Sequence, residues 1–306
     1  MKLHRILPIL ALLTSLVSAC AGAASIPGQP GAVRVLAVES FLADIAQDVA
    51  GTRVQVETLI PLGADPHEYE PTPQDVARVA DSSVLIVNGG GVETWLDKTL
   101  QNAGGSRLVV TASQGLKNRM PGASEPAGGG QIDPHFWLAP NLVVHYVETI
   151  RDGLVQADPG GKDLYTQNAA AYIQKLNDLD GWIQTQVNQI PAGRRLLVTN
   201  HESLGYYADR YGFRVVGAVI PSISSEASPS AQQIADLVQA IRSTGAPAVF
   251  LEAGVNQQLG RQVAQETGIK IVTDLYTETL SSPDGPAPDY VSMLKHDTQS
   301  IATALK

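Results

Sequence analysis

The sequence predicts an α/β protein of two Rossmann-like lobes with mostly parallel sheets, joined by one long linking helix. Three observations predict it. Short apolar runs alternate with segments of helical spacing, first from Val33 to about Ser113 and again after Pro191. Between the two series lies a stretch, about Gly161 to Gln189, without a loop-forming break. The chain of 306 residues also exceeds the roughly 250 at which single cores tend to divide.

The first residues, MKLHRILPILALLTSLVSAC, place Lys2 and Arg5 ahead of an apolar run from Ile6 to Val17 and a small-residue exit. This is the pattern of an export signal, 1–19, and the run is shorter than the roughly 20 residues of a membrane span. Its end, VSAC, resembles a bacterial lipobox, which would leave Cys20 as a lipid-bearing N-terminus. Cys20 is the single cysteine, so an internal disulfide framework is excluded and lipidation gives the thiol a role. Residues 20–32, rich in Ala, Gly and Pro, read as a flexible tether.

The N-terminal lobe is expected over 33–160. VRVLAVE, RVQVETLIP, SVLIVNGG and RLVVTAS read as strands, with helices in SFLADIAQDVAG, TPQDVARVADS and VETWLDKTLQNAGG. Thr72 caps a helix whose first residue is Pro73, where proline's fixed φ is already helical. Gly115 to Ile132 is rich in Gly and Pro and reads as a loop. The linking helix, 161–190, carries Leu164, Tyr165, Tyr172, Leu176, Leu179, Trp182, Ile183 and Val187 at helical spacing, interrupted only by Gly181. At 1.5 Å per residue, about 29 residues span about 43 Å, enough to cross a domain.

The C-terminal lobe, 191–306, resumes the alternation with RRLLVTN, FRVVGAVI, AVFLEA and IKIVTD as strands and a last helix from about Asp289. Ser228 and Pro229 are expected to cap and open the helix that contains QQIADLVQAIRSTG.

Hydrophobic residues make up 44% and charged residues 17%, an ordinary balance for a folded globular chain. The formal net charge is −9, and loss of Lys2 and Arg5 with the leader would make it more negative, which argues against a nucleic-acid partner. There is no P-loop, GxSxG elbow or CxxC pair.

Two of the six histidines share one frame, Asp-Pro-His, at His67 and His135. His201 follows the strand LLVTN and Asp274 follows IKIVT. Ligands of open α/β sheets bind beyond the carboxyl ends of the strands, so these four groups, two per lobe, form a candidate metal site. Three imidazoles and a carboxylate suit zinc, with manganese or ferrous iron possible. Asp65, Glu70, Asp133 and Glu202 stand close by in sequence and are candidates either for orienting the imidazoles or for turn and cap roles. His145 and His296 fall on helices and read as structural or surface residues.

Together DPHEYEPTPQDVARVADSSVLIVNG, DPHFWLAP, YTQNAAAYIQKL, VTNHESLGYYADRYGF, PSAQQIADLV, VTDLYTETL and YVSMLKHDTQSIATAL resemble the metal-receptor family of bacterial zinc and manganese ABC importers, over nearly the whole mature chain. The resemblance implies that the family's ligands fall on His67, His135, His201 and Asp274. It also implies a non-enzymatic, monomeric receptor, exported and lipid-anchored at Cys20, that hands a divalent metal to an ABC permease coupled to a cytoplasmic ATPase. His201 as third ligand leans toward zinc over manganese, while the chain lacks the His-rich loop that marks many zinc receptors. The rival expectations are a zinc-dependent hydrolase, which would need an open position for water, and an adhesin-like lipoprotein whose metal only stabilises the fold.

Overall fold

The computed structural model describes residues 33–119 and 132–306. The expected leader, Cys20 and the tether lie outside the described residues, as does most of the loop from Gly115 to Ile132. No helix among the described residues is long and apolar enough to cross a membrane.

In chain order the first lobe holds β1 (Val35–Ala37), α1 (Ser40–Ala50), β2 (Val56–Thr58), α2 (Pro73–Asp81), β3 (Val84–Val87), α3 (Leu96–Ala103), β4 (Leu108–Thr111) and α4 (Pro140–Ala157). Helix α5 (Lys162–Val187) follows, then β5 (Leu196–Thr199), α6 (Gly205–Tyr211), β6 (Arg214–Ala218), α7 (Ala231–Thr244), β7 (Ala248–Glu252), α8 (Gln258–Thr267), β8 (Lys270–Leu275) and α9 (Tyr290–Leu305). The strands form two four-stranded sheets, ordered β2-β1-β3-β4 and β6-β5-β7-β8, and every pairing is parallel. Each sheet reverses its winding once, between β1 and β3 and between β5 and β7. At such a switch point the loops leaving adjacent strands diverge and open a crevice.

The central strands β3 and β5 are fully buried, Val84–Val87 being apolar throughout and Leu196–Thr199 apolar up to Thr199, because helices cover both faces of a parallel sheet. Helix α5 has 26 residues and so runs about 39 Å. Its buried positions, Tyr165, Ala169, Tyr172, Leu176, Leu179, Ile183 and Val187, repeat at intervals of three and four and make one apolar stripe. That stripe joins a core that includes Phe41 and Ile45 of α1, Tyr146 and Ile150 of α4, and Met293 and Ile301 of α9. Gly181 passes through the helix on its exposed side.

Thr72 caps α2 as the sequence predicts, with a reciprocal box in which Asp75 N donates to Thr72 Oγ1 and Asp75 Oδ2 accepts from Thr72 N. The expected cap at Ser228 is corrected: α7 begins at Ala231 and its cap is Ser230, boxed with Gln233. Gln233 supplies the side chain that reaches back to Ser230 N, which fixes the cap two residues later than Ser228.

Candidate metal centre

The two Asp-Pro-His triplets fold alike at first. In each, the aspartate Oδ1 accepts from the histidine backbone N two residues on, at 2.8 Å for Asp65 and His67 and 3.1 Å for Asp133 and His135. This local turn is what short carboxylates favour, and the intervening proline holds it open. The imidazoles thereby leave their loops in fixed directions.

His201 lies two residues beyond β5, at the switch point of the second sheet. Glu252, the last residue of the neighbouring β7, places Oε2 at 2.8 Å from His201 Nδ1, and Ser203 Oγ donates to Glu252 Oε1 at 2.8 Å. Asp133 Oδ1 likewise meets His135 Nδ1 at 2.8 Å. With both Nδ1 positions engaged by carboxylates, Nε2 of each ring is directed into the cleft.

Into the same space comes Glu278, from the segment after β8. Four neighbours hold that segment. Tyr276 N donates to Asp297 Oδ1 at 2.9 Å, Trp137 Nε1 to Thr277 O at 2.6 Å, Gly63 N to Thr279 Oγ1 at 3.0 Å and Leu280 N to Ser40 Oγ at 2.9 Å. One donor atom from each of His67, His135, His201 and Glu278 lies within 4.8 Å of the others, and all four residues are buried. His135 Nε2 and His201 Nε2 are 3.2 Å apart, and each is 3.4 Å from Glu278 Oε1. These approaches to Glu278 lack hydrogen-bond alignment: both of its oxygens, and His67 Nε2, are buried without a hydrogen-bond partner. Buried polar atoms are rarely left so, and a convergent set of them marks a place for a cation.

The electrostatics agree. Burial pulls the His135 imidazole down, but the charges of Glu278 and Asp133 outweigh it and raise it to about 9. His201 is raised well above the usual range, burial again being outweighed by Glu252 and Glu278. Burial opposes ionisation of Glu278, yet His135 and His201 hold it well below the usual carboxylate range. His67, with no carboxylate on its ring, is lowered by burial to about 4. Behind the cluster, burial and the nearby Glu93 push Glu39 well above its usual range, whereas Glu278, facing the imidazoles, is held below its own. A proton held between His135 and His201 thus stands where a divalent ion would bind, and such an ion would displace it.

Three of the four residues expected as ligands are brought together, and the fourth is not. Asp274 is still inside β8, its side chain is 54% exposed and its carboxylate lies 3.3 Å from His296 Nε2 on α9. Glu278 occupies the cleft in its stead. The expectation fixed on the acid nearest the apolar run; the strand continues to Leu275, and the residue that clears its carboxyl end is three further on. Glu252 was also missed, since it reads as a strand residue and only the pairing of β5 with β7 brings it to His201. Among the candidates for orienting groups, Asp65 and Asp133 touch their histidines as described, Glu70 is exposed, and Glu202 donates its backbone N to Ser222 O at 2.9 Å. His145 meets Gln114 O at 2.7 Å from α4, away from the cluster.

An α/β fold with two parallel sheets and a buried three-histidine, one-carboxylate cluster in the cleft between them defines a two-lobed binding protein for a metal ion. A model of the family described as zinc-uptake complex component A, periplasmic, matches residues 35–304. The chain belongs to this family of metal-receptor substrate-binding proteins. It is 35% identical over 273 residues to the manganese-binding lipoprotein MntA of Halalkalibacterium halodurans, covering 89% of this chain and 88% of that one. It is 32% identical over 292 residues to the iron-binding protein YfeA of Yersinia pestis, covering 94% and 92%. Among solved structures, the periplasmic zinc-binding protein TroA of Treponema pallidum superposes with a TM-score of 0.82 at 26% identity, covering 89% of this chain and 99% of that one.

Proposed function

We propose that the protein is the extracytoplasmic receptor of an ABC importer, taking up a divalent first-row transition ion between its lobes through His67, His135, His201 and Glu278. The observation that carries this is the convergence of four buried donor residues, with His67 Nε2 and both oxygens of Glu278 left without a hydrogen-bond partner. Four protein donors fill a tetrahedral shell and leave no open position for an activated water, which argues against a hydrolase. The lipid anchor at Cys20, the monomeric state and hand-over to a permease driven by a separate ATPase complete the proposal. The anchor rests on the lipobox-like VSAC and on relatives named as lipoproteins, and the hand-over on a relative named as the substrate-binding lipoprotein of a manganese ABC transporter.

Two features weigh on the choice of metal. Three imidazoles suit zinc. Both oxygens of Glu278 lack hydrogen bonds, so the carboxylate is able to chelate and add a fifth donor, which brings manganese and ferrous iron within the site's range. Relatives named for manganese, iron and zinc span the same set. Deletion in the native host, with uptake of radiolabelled manganese and zinc measured separately, tests the function. Loss of one metal's uptake, restored by the wild-type gene and not by Glu278→Gln, supports the reading; unchanged uptake of both overturns it.

A further inference from the structure

The three histidines are not held alike. His135 and His201 are fully buried, and each has a carboxylate on Nδ1. No side chain among the described residues hydrogen-bonds to the His67 ring, and His67 alone of the four lines the hollow that opens beside the site. That hollow, about 510 Å³, is bordered by Gly90, Gly91, Ile132 and Pro134 on the first lobe and by Ile223 and Ser224 on the second. His67 is therefore the donor that links this hollow to the buried cluster.

What fixes His67 is its loop, and the loop is fastened to the opposite lobe. Asp65 divides its oxygens: Oδ1 accepts from His67 N, while Oδ2 accepts from Ser225 Oγ at 2.5 Å, across the cleft. Asp133, by contrast, spends Oδ1 on both the backbone and the ring of its own histidine. Two further ties run from the same loop: Gly63 N donates to Thr279 Oγ1, next to Glu278, and Gly63 O packs against Gly254. A Cβ added to Gly254, whose φ is +86°, would stand 2.5 Å from that oxygen.

We infer that Ser225 is a positioning residue, and that its hydrogen bond to Asp65 is the latch that keeps His67 on the metal, so that release begins at His67 and proceeds through the adjoining hollow. The inference rests on the metal-receptor reading. Hydrogen bonds to a charged carboxylate are among the stronger ones, so losing this one, which must break before the ion departs, speeds release about tenfold. Capture, which starts with the cleft open, is little changed.

Stopped-flow release of manganese or zinc from the loaded full-length protein into excess chelator tests this. Ser225→Ala should raise the dissociation rate about tenfold with association within about twofold, and Ser225→Thr, which keeps the hydroxyl, should stay near wild type. Tyr206→Phe removes the corresponding bond to the His135 loop, Tyr206 Oη to Asp133 O at 2.9 Å, and should leave release within about twofold, because Asp133 still holds the ring. Wild-type release from Ser225→Ala, or equal acceleration by Tyr206→Phe, overturns the latch. His201→Ala separates the two levels: if it keeps wild-type affinity, the cleft reading itself fails, whereas loss of metal there with no effect at Ser225 sinks only the latch.

Discussion

His135 and His201 come from different lobes and bring their Nε2 atoms to 3.2 Å from one another, each with a carboxylate on its Nδ1. Two imidazoles so placed share a cation or a proton, and the same pair of lobes that closes the site also sets its response to pH.

The charges of Glu278 and Asp133 hold His135 protonated up to about 9 against the effect of burial, and His201 is raised also. Binding requires both rings neutral at Nε2, so each ion bound below that range expels protons. Affinity should therefore go on climbing as pH rises past about 7 toward about 9, where binding through an unperturbed histidine would already have levelled off. His67, lowered to about 4, contributes nothing to this slope. Calorimetric titration in buffers of different ionisation enthalpy reads the proton count directly; a flat affinity across the window contradicts the arrangement.

Glu252 touches no ion in this account but holds His201 Nδ1 and is itself held by Ser203. Glu252→Gln should weaken metal binding by about 10–100-fold while leaving the fold intact, as removal of such outer partners does elsewhere. Binding at wild-type strength would mean that the ring is oriented by packing alone.

Gly153 on α4 faces β4, where an added Cβ would stand 2.4 Å from Val110 Cγ2. Gly153→Ala should cost about 1–3 kcal/mol through overpacking, visible as a lowered denaturation midpoint, with metal affinity at pH 8 unchanged because the contact is remote from the cluster.

Much of this was legible in the sequence because the signals are local. The apolar strand runs, the Thr72–Pro73 helix start and the stripe on α5 each follow from residues a few positions apart, and the two Asp-Pro-His turns do as well. What was not legible depends on where strands end and which of them pair. Asp274 and Glu278 differ only in whether the chain has left β8, and in the sequence VTDLYTETL nothing marks Leu275 as the last paired residue. Glu252 reaches His201 through the adjacency of β5 and β7, a crossover that no spacing encodes. The Ser225 tie to Asp65 joins residues 160 apart and is invisible without the fold.

Glu278 as the fourth donor, with the ion between the lobes, is the part of the proposed site that a binding measurement reaches directly. Manganese and zinc binding measured by titration calorimetry on wild type, Glu278→Gln and Asp274→Asn tests it most directly. Glu278→Gln should lose about 100-fold or more in affinity, while Asp274→Asn, whose side chain is half exposed on β8, should bind as wild type does. Full-strength binding by Glu278→Gln, or loss of binding by Asp274→Asn alone, would contradict the account.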